Sequence, residues 1–517
     1  MKLSIFAILV TLWASLLVGA WSNDDDNHSA HATPVHITSH HGTPFPPSSR
    51  ANQTDEPDTA SLPIPTGTPR GPIQPSSPAM NVTMMSGGDN TTTSRAKRQN
   101  DQCGKNGTVF GDGAVFGTTG STAAEPSGAK AGKVLFTTAN WFAAISVDDG
   151  VTWNSINPTI YTGPANPATD AGFCCDQVVH YLPSIERFVW LIQYRKNAKS
   201  VNKLRVITFH PGDVDTGGIN AWIYLDIVST DLKLNGPLDY GDLAVGDNEL
   251  YVSATNTGIG LVVVRIPIAA LDVVGPLTYW YTDPNIGSIA TFSHLSQNPG
   301  DTVFWAGHSI IGTTMRVFKW PESGTMYFWN DIRINDWPSS QSNFVSPCPG
   351  DATTNWVFDL QFHDIIGVTR RSTNEVWFAW PAPSGGGFPN LHIQIAQINT
   401  SNWQTLHLIK QWQIWNPDFV FGYPALYTNE CGDVGIAVAF GGGKFNPSSA
   451  VGIADSNGVL AQTVYYPELS DVCVGRFGDY LTVRQGERGG YVGFIFAGKS
   501  TGGGVERRPR FLEFSRG

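Results

Sequence analysis

Residues 146–153 carry the pattern Ser-x-Asp-x-Gly-x-Thr-Trp, which constrains the fold more than any other stretch of the chain. Asp148 can accept hydrogen bonds from the backbone N–H groups just ahead of it, and Gly150 can adopt a positive φ without strain. Thr152 and Trp153 then begin a strand and cover the turn with an apolar ring. The pattern therefore predicts a tight β-hairpin turn in which Ser146, Asp148, Gly150, Thr152 and Trp153 have structural roles.

Hairpin patterns recur along the rest of the chain. Each has a polar or aromatic start, a short β-type run, a turn and a second alternating strand, at intervals of roughly 50 to 70 residues. They begin at Lys133, Asp176, Asp242, Ala290, Asp364, Tyr423 and Asp479. Because a closed ring of blades buries both faces of each sheet, the sequence predicts an all-β propeller, seven-bladed, with six blades as the alternative. Residues 510–515 are expected to complete the first blade.

Three regions follow one another along the chain. Residues 1–20 form an apolar run after Lys2 that ends in small residues, which is typical of a signal peptide. Residues 21–98 are rich in Pro, Ser, Thr and Asn with little to bury, and predict a disordered tract. The tract ends at the dibasic pair Lys97-Arg98, so it is either a removable pro-segment or a glycosylated stalk. Residues 99–517 form the propeller domain, and the protein is expected to be secreted and extracellular.

Six Asn-x-Ser/Thr sequons support a secreted glycoprotein. They lie at Asn27, Asn52, Asn81, Asn90, Asn106 and Asn399. The six cysteines predict disulfides whose connectivity stays open, and their spacing fits no zinc site, so no metal or other cofactor is predicted. We expect a monomer without a membrane span in its mature form.

The net charge of −11 limits the classes of partner. Nearly all of it belongs to residues 99–517, because the first 98 residues hold six basic and seven acidic side chains. An acidic surface repels the phosphates of nucleic acids and anionic membranes. A nucleic acid is therefore not expected as a partner.

Residues 146–153, together with Trp141-Phe142, the start 239–242 and the start 476–480, resemble the secreted Asp-box (BNR-repeat) sialidase-like β-propellers. The resemblance covers most of residues 111–513 at the level of blade pattern. It implies an Asp box on the outer rim of a blade and one of two carbohydrate chemistries. Sialidases use three arginines, a Tyr/Glu nucleophile pair and an Asp acid, whereas seven-bladed polysaccharide lyases use His and Tyr. Neither set carries over residue by residue, and no Arg-Ile-Pro motif lies near the first blade.

The candidate catalytic residues are His180, Tyr240 and Tyr480. The first strand of each blade lines the central channel, and strand alternation places His180 on the same face as Asp176. His180 is either a base or a core histidine with satisfied hydrogen bonds. Tyr240 and Tyr480 flank the repeated Gly-Asp starts and could donate a proton.

The candidate substrate-binding residues are Arg476, Asp242, Asp479, His294 and His363. Arg476 could bind a carboxylate with its guanidinium fork or form an ion pair with an Asp. Asp242 and Asp479 recur in the repeat, so they could equally bind neighbouring backbone N–H groups. His294 and His363 lie near the first strands of the weaker hairpins.

The first functional interpretation is an enzyme that cleaves a uronic-acid-bearing glycan by β-elimination. Arg476 would neutralise the carboxylate, His180 would remove the α-proton, and Tyr240 or Tyr480 would protonate the leaving oxygen. Two alternatives stay open: a sialidase-like glycoside hydrolase, and a non-catalytic propeller that binds a glycan or a protein. The sequence does not name the glycan.

Overall fold

A computed structural model describes residues 28–44, 74–84, 108–115, 125–256, 259–290, 292–357, 363–442, 444–454, 463–473, 475, 477–486, 489–501 and 504–516. Helix is confined in this part of the chain to α1 (Thr159–Thr162) and four 3-10 segments, Pro211–Asp213, Ile268–Leu271, Gln341–Asn343 and Trp403–Thr405. No helix among the described residues is both long and apolar enough to span a membrane. The fold is all-β, as predicted.

Strands follow one another along the whole described chain. The first five are β1 (His28–His31), β2 (Thr33–Thr38), β3 (His40–His41), β4 (Asn81–Met84) and β5 (Thr108–Val115). The next fourteen are β6 (Ser127–Ala131), β7 (Val134–Ala139), β8 (Phe142–Ser146), β9 (Asn154–Ile156), β10 (Phe173–Leu182), β11 (Arg187–Tyr194), β12 (Lys203–Phe209), β13 (Val214–Asp215), β14 (Gly218–Ile219), β15 (Ile223–Val228), β16 (Leu238–Val245), β17 (Glu249–Asn256), β18 (Gly260–Pro267) and β19 (Pro276–Tyr281).

The remaining strands continue to the end of the chain. They are β20 (Thr302–Ile310), β21 (Thr314–Pro321), β22 (Met326–Arg333), β23 (Pro347–Cys348), β24 (Asp351–Asn355), β25 (Gly367–Ser372), β26 (Glu375–Ala382), β27 (His392–Asn399), β28 (His407–Ile414), β29 (Val420–Thr428), β30 (Val434–Gly442), β31 (Phe445–Ala454), β32 (Thr463–Tyr466), β33 (Thr482–Gln485), β34 (Tyr491–Thr501) and β35 (Gly504–Arg516).

Consecutive strands pair antiparallel into sheets. Five sheets have four or five strands: β6-β7-β8-β9, β10-β11-β12-β15-β3, β16-β17-β18-β19-β2, β20-β21-β22-β1 and β25-β26-β27-β28. A nine-stranded sheet contains β29 to β35 with β4 and β5, and two more sheets, β13-β14 and β23-β24, have two strands. The architecture is a β-propeller. The sheets formed by the described residues do not confirm the predicted number of seven blades.

The first strands of the sheets surround a central channel. Neighbours in this ring contact one another: β6 with β10 and β33, β10 with β16, β25 with β29, and β29 with β33. Residues 292–297 fill the place between β16 and β25, where Ser293 pairs with Ile365 and Gln297 with Thr369, both in parallel. The ring strands thus begin at one end of the channel, which we call the amino mouth, and end at the other, the carboxyl mouth.

The ring is closed between strands from the two ends of the propeller domain. β35 pairs with β34 along its length and with β5 on its other side. The expectation that residues 510–515 complete the first blade is wrong, because the first sheet ends at β9 and the last one receives β5 instead. Closure of this kind removes the exposed sheet edges that would otherwise promote association.

The turn at residues 146–153 joins β8 to β9 and contains the predicted hydrogen bonds. Asp148 Oδ1 accepts from the backbone N of Thr152 at 2.8 Å, and Oδ2 accepts from the Thr152 hydroxyl at 2.6 Å. The Ser146 hydroxyl accepts from the N of Gly150 at 2.8 Å, and Gly150 has a φ of 83°. Trp153 Nε1 donates to the Gly150 carbonyl at 3.1 Å, so the indole covers the turn.

The hydrophobic cores lie between neighbouring sheets, as a propeller requires. Phe136 of the first sheet meets Trp190 of the second with ring centroids 5.1 Å apart. Tyr251 of the third sheet meets Trp320 of the fourth at 6.3 Å. Each blade therefore gains stability only when its neighbour is present.

Disulfides account for all the described cysteines. Cys174 pairs with its chain neighbour Cys175, and Cys348 pairs with Cys473 across 125 residues. Cys431 is also disulfide-bonded. The remaining cysteine, Cys103, lies outside the described residues.

The N-terminal tract contributes strands rather than disorder wherever the structure describes it. Residues 28–44, here called the belt, add β1 to β22, β2 to β19 and β3 to β15, so they cross the outer edges of three neighbouring sheets. Farther on, β4 pairs in parallel with β32. The prediction of disorder is therefore wrong for residues 28–44 and 74–84. The sheets offer open backbone N–H and C=O groups at their edges, and polar segments can pair with them while burying little.

We expect Ala32→Asp to release the belt from the fourth sheet. Ala32 is buried, and its N donates to the Thr325 carbonyl at 2.8 Å, so a charge there would be desolvated without a partner. Hydrogen exchange measured by mass spectrometry should show faster exchange over residues 28–41. Thr38→Asp is the matched control, because Thr38 is exposed. Equal exchange in the two variants would contradict a docked belt.

Candidate functional site

β-Bulges interrupt the ring strands at the amino mouth. The pairing register shifts between Phe173 and Gln177 in β10, and between Asp239 and Asp242 in β16. Tyr240, inside the second bulge, has a φ of 53°, which large side chains rarely adopt. Bulges redirect side chains, and strained backbone concentrates at functional sites. The amino mouth is therefore the first place to look for chemistry.

Carboxylates from four sheets gather there, and we call this group the carboxylate ring. Its members are Asp176 and Asp239, near the starts of β10 and β16, and Asp364 and Asp479, which lie three residues before β25 and β33. Asp176, Asp364 and Asp479 interact electrostatically with the hydroxyl of Tyr240, and Asp176 and Asp479 also with that of Tyr480. Burial and these negative charges raise the pKa of both tyrosines well above its ordinary value. The tyrosine hydroxyls therefore stay protonated and are weak acids.

Asp239 is a member of the carboxylate ring whose pKa is raised. Its Oδ1 accepts from Gln193 Nε2 at 2.8 Å and from the backbone N of Tyr240 at 2.9 Å. Burial, and then the charge of Asp479, raise the pKa of Asp239 to about 6. A carboxyl group whose pKa is raised by its surroundings can serve as a general acid.

The aromatic residues predicted from the sequence fill the channel beside the carboxylate ring. Tyr240 donates its hydroxyl to the carbonyl of Asp479 at 3.2 Å, and Tyr480 donates to the carbonyl of Gln177 at 3.3 Å. Their rings lie 6.2 Å apart, and His294 lies 5.3 Å from Tyr240 and 5.9 Å from Tyr480. With both hydroxyls donated to backbone carbonyls, the tyrosines position the ring strands.

His180 lies at the opposite end, in a cavity of about 460 Å³ at the carboxyl mouth. The backbone N of Tyr181 donates to its Nδ1 at 3.0 Å, and the imidazole also hydrogen-bonds the side chain of Gln297. Burial, and then the charge of Arg484, lower the pKa of His180 to about 3. These are the contacts of a core histidine, and the structure does not bring His180 together with the tyrosine hydroxyls as one catalytic site.

Of the predicted substrate-binding residues that the structure describes, one belongs to the carboxylate ring and the others do not. Asp242 Oδ2 accepts from the N of Leu295 at 3.0 Å, so this carboxylate joins two ring strands. His363 is buried with its Nε2 3.8 Å from Asp364 Oδ1, and burial lowers its pKa to about 4. Only Asp479 belongs to the carboxylate ring. Arg476, the predicted carboxylate binder, lies outside the described residues.

Two of the six sequons are described. Asn81 is exposed in β4, and Asn399 at the end of β27 accepts from the N and hydroxyl of Ser401 through its Oδ1. Their glycosylation stays a prediction. Asn27, Asn52, Asn90 and Asn106 lie outside the described residues.

Covalent links hold the surroundings of the carboxylate ring. The Cys174–Cys175 disulfide is buried beside Trp141, and Gln193 Nε2 lies 3.7 Å from Cys175 Sγ as well as donating to Asp239. The Cys348–Cys473 disulfide ties the β23–β24 hairpin to a residue nine positions before β33. The carbonyl of Trp356, which follows the hairpin, accepts from Phe477 N and from the Tyr423 hydroxyl. These contacts fix the positions of strand starts.

Sequence reasoning missed Asp239, Asp364, Gln193 and Arg484. Asp239 and Asp364 each begin a quoted hairpin or directly precede one, so the recurrence of Asp at strand starts was the available signal. No signal distinguished Gln193 from other strand glutamines. The described residues contain no group of three or more His, Cys, Asp or Glu side chains arranged to hold a metal ion. The prediction that the protein uses no cofactor remains a prediction.

Comparisons with known proteins give matches of low sequence identity and low structural similarity. No protein-family model and no curated protein matches the chain. Solved structures that align with it include the N-terminal domain of Nup159 (TM-score 0.35, 8% identity, 80% of this chain and 96% of that one). A subtype N11 neuraminidase-like protein of A/flat-faced bat/Peru gives a TM-score of 0.34 and 12% identity over 86% and 97% of the two chains. An engineered GH43 glycoside hydrolase gives 0.29 and 9% over 77% and 96%. Since these TM-scores lie below 0.5, the likenesses carry no argument about what this chain does.

Proposed function

We propose that this protein is a carbohydrate-active enzyme that hydrolyses a glycosidic bond at the amino mouth, with Asp239 as general acid and Asp479 as the second carboxylate. The observation that carries the proposal is the convergence of carboxylates from four sheets at the amino mouth, two of them beside bulges at strand starts. Asp176, Asp239 and Asp479 each keep 6 to 8% of their surface exposed, whereas Asp364 keeps 1%. All four carboxylates are thus buried, and Asp364 is the most deeply buried of them.

Glycoside hydrolysis needs two carboxyl groups in opposite protonation states. Asp239, whose pKa is raised by burial and by Asp479, would protonate the leaving glycosidic oxygen. Asp479 would act on the anomeric carbon, directly as nucleophile or through a water molecule as base. The remaining negative charge of the ring would stabilise the oxocarbenium-like transition state. The Gln193 hydrogen bond would hold Asp239 in one orientation throughout.

The same geometry gives less support to β-elimination and to a purely binding propeller. β-Elimination requires a base beside a cation that neutralises a uronate, but His180 lies away from the tyrosines and has its hydrogen-bond partners already. A ring of carboxylates repels an acidic glycan by Coulomb interaction at short range. We therefore propose a neutral glycan as substrate. A purely binding propeller would not need a carboxyl group that titrates near pH 6.

We also propose that the ring has seven blades. The nine-stranded sheet is continuous only through the single pair Ser448 and Ala497 between β31 and β34. Without that pair it separates into β29-β30-β31-β32 and β33-β34-β35-β5, which are two ordinary blades. The signal-like residues 1–20 and the sequons further lead us to propose a secreted, extracellular, monomeric glycoprotein with an Asp box at residues 146–153.

An assay of the full chain on neutral and uronate-containing polysaccharides tests the reaction. We expect new reducing ends without the ultraviolet absorbance of an unsaturated uronate. Activity should fall as pH rises through about 6, because the raised pKa of Asp239 means that its proton is present below that pH and lost above it. An absorbing product would establish elimination instead. A flat rate from pH 5 to 8 would exclude Asp239 as the acid.

A further inference from the structure

The carboxyl mouth holds a cavity that the proposed hydrolysis does not use. It has a volume of about 460 Å³, within the range of cavities that bind small ligands. Its lining includes Lys130, His180, Asn298, Tyr427, Arg484 and Gln485. The aromatic cluster of Tyr240, Tyr480 and His294 lies between this cavity and the carboxylate ring, so the two mouths are separate sites.

Arg484 is a buried cation held mainly by neutral groups. Its Nε and Nη2 each donate to the carbonyl of Val179 at 3.3 Å, and its Nη1 donates to Gln297 Oε1 at 3.2 Å. No carboxylate oxygen contacts Arg484 in the described part of the chain. The negative charge of Asp242 acts on the guanidinium electrostatically, without a direct contact. Burial lowers the pKa of Arg484, so its charged form is poorly compensated. A buried guanidinium of this kind gains from an anionic ligand group.

Arg484 shares the lining of the cavity with Lys130, with the titratable His180 and with the exposed carboxylate Asp247. Lys130 is already engaged, with its Nζ 2.7 Å from Asp149 Oδ1 and 2.5 Å from Glu513 Oε1. His180 stays uncharged because burial lowers its pKa to about 3. Arg484 is therefore the cation in this lining that still lacks a carboxylate in contact. One anionic group of a ligand could therefore pair with Arg484.

Apart from Lys130 and Asp247, the polar side chains of the lining around Arg484 are uncharged. Ser184, Asn298 and Gln485 are exposed at the rim, and Tyr181 is half-buried with its ring 5.4 Å from Phe188. Amide and hydroxyl groups can exchange hydrogen bonds with a polyol, and an aromatic ring can cover one face of a sugar. The lining suits a ligand that combines one carboxylate with several hydroxyls.

We propose that the cavity at the carboxyl mouth binds a uronate sugar, with its carboxylate on Arg484 and its hydroxyls at the rim. The site is separate from the carboxylate ring and does not depend on hydrolysis there. A propeller with both sites would bind a uronate sugar at the carboxyl mouth and a neutral glycan at the amino mouth.

Calorimetric titration of the full chain with D-glucuronate and with D-glucose tests this site. The two sugars differ by the carboxylate, so glucuronate should bind roughly tenfold more tightly or better. Gln485→Glu places a like charge at the rim and should weaken glucuronate by about tenfold. Gln404→Glu is the matched control, because Gln404 is exposed on the segment Trp403–Thr405 outside the cavity lining.

Equal affinity for the two sugars, no binding of glucuronate, or equal weakening by Gln485→Glu and Gln404→Glu would overturn the proposal. Asp239→Asn separates this site from the other one. Glucuronate binding should survive that substitution even where hydrolysis is lost. If Asp239→Asn abolishes glucuronate binding, the ligand lies at the amino mouth and the cavity is not its site.

Discussion

Asp239→Asn should lower turnover of the preferred glycan by roughly 10²- to 10⁴-fold. Asparagine has the same shape and can still accept from Gln193 Nε2 and from the N of Tyr240, but it has no proton to transfer. Removing a buried carboxyl beside Asp479 also removes repulsion, so the unfolding midpoint should stay the same or rise. Initial rates and thermal unfolding measured on the same preparation check both parts.

Asp148→Asn provides the matched control for this substitution. It makes the same chemical change in the 146–153 turn, where the Thr152 hydroxyl would lose its carboxylate acceptor. We expect a loss of about 1 kcal/mol of stability with turnover unchanged. If Asp239→Asn keeps full turnover while folded, Asp239 is not the acid and the carboxylate ring has another purpose.

Truncation before Phe511 should prevent the chain from folding. Phe511 packs with Leu135, Val492 and Phe494, and both Leu512 and Phe514 are buried in the main core. Each large buried side chain contributes about 3–5 kcal/mol, and together they match the 5–15 kcal/mol by which a typical domain is stable. The truncation also removes the partner of β5 at its first residues. Soluble yield and a cooperative unfolding transition are the measurements.

Two single substitutions in β35 compare a buried side chain with a half-buried one. Phe511→Ala should cost about 3–5 kcal/mol and still leave a folded protein. Ser515→Ala changes a half-buried side chain of β35 and should have little effect. A truncated chain that unfolds cooperatively at the full-length midpoint would show that β35 does not close the ring.

The pattern of short strands was sufficient to predict the propeller, because period-two alternation and turn residues are local properties of the sequence. The bulges were not predictable in this way. Plain alternation places Asp239 and Asp242 on opposite faces, and the sequence analysis selected Asp242 as the residue facing the substrate. The shift of register at Tyr240 changes which carboxylate reaches the amino mouth, and that shift arises from packing against neighbouring sheets.

The belt escaped prediction for a different physical reason. Composition indicates disorder when a segment cannot bury enough apolar surface to offset its conformational entropy. In the belt only Ala32 and Ser39 are buried, yet the segment is ordered because three sheet edges supply its hydrogen bonds. Because these partners are distant in the sequence, the residues of the belt alone do not indicate the pairing. The same limitation applies to Arg484, whose hydrogen-bond partners Val179 and Gln297 are 305 and 187 residues away in the sequence.

The belt also has a consequence for the order of events during synthesis. His31 and its partner Thr325 are separated by 294 residues, so the belt leaves the ribosome long before the edge that it covers. At about 5–20 residues per second, this interval is about 15 to 60 s. During that time the belt has no edge to pair with, and the early blades have no belt. A nascent chain would therefore expose uncovered strands to chaperones and to other nascent chains until the fourth sheet has been made.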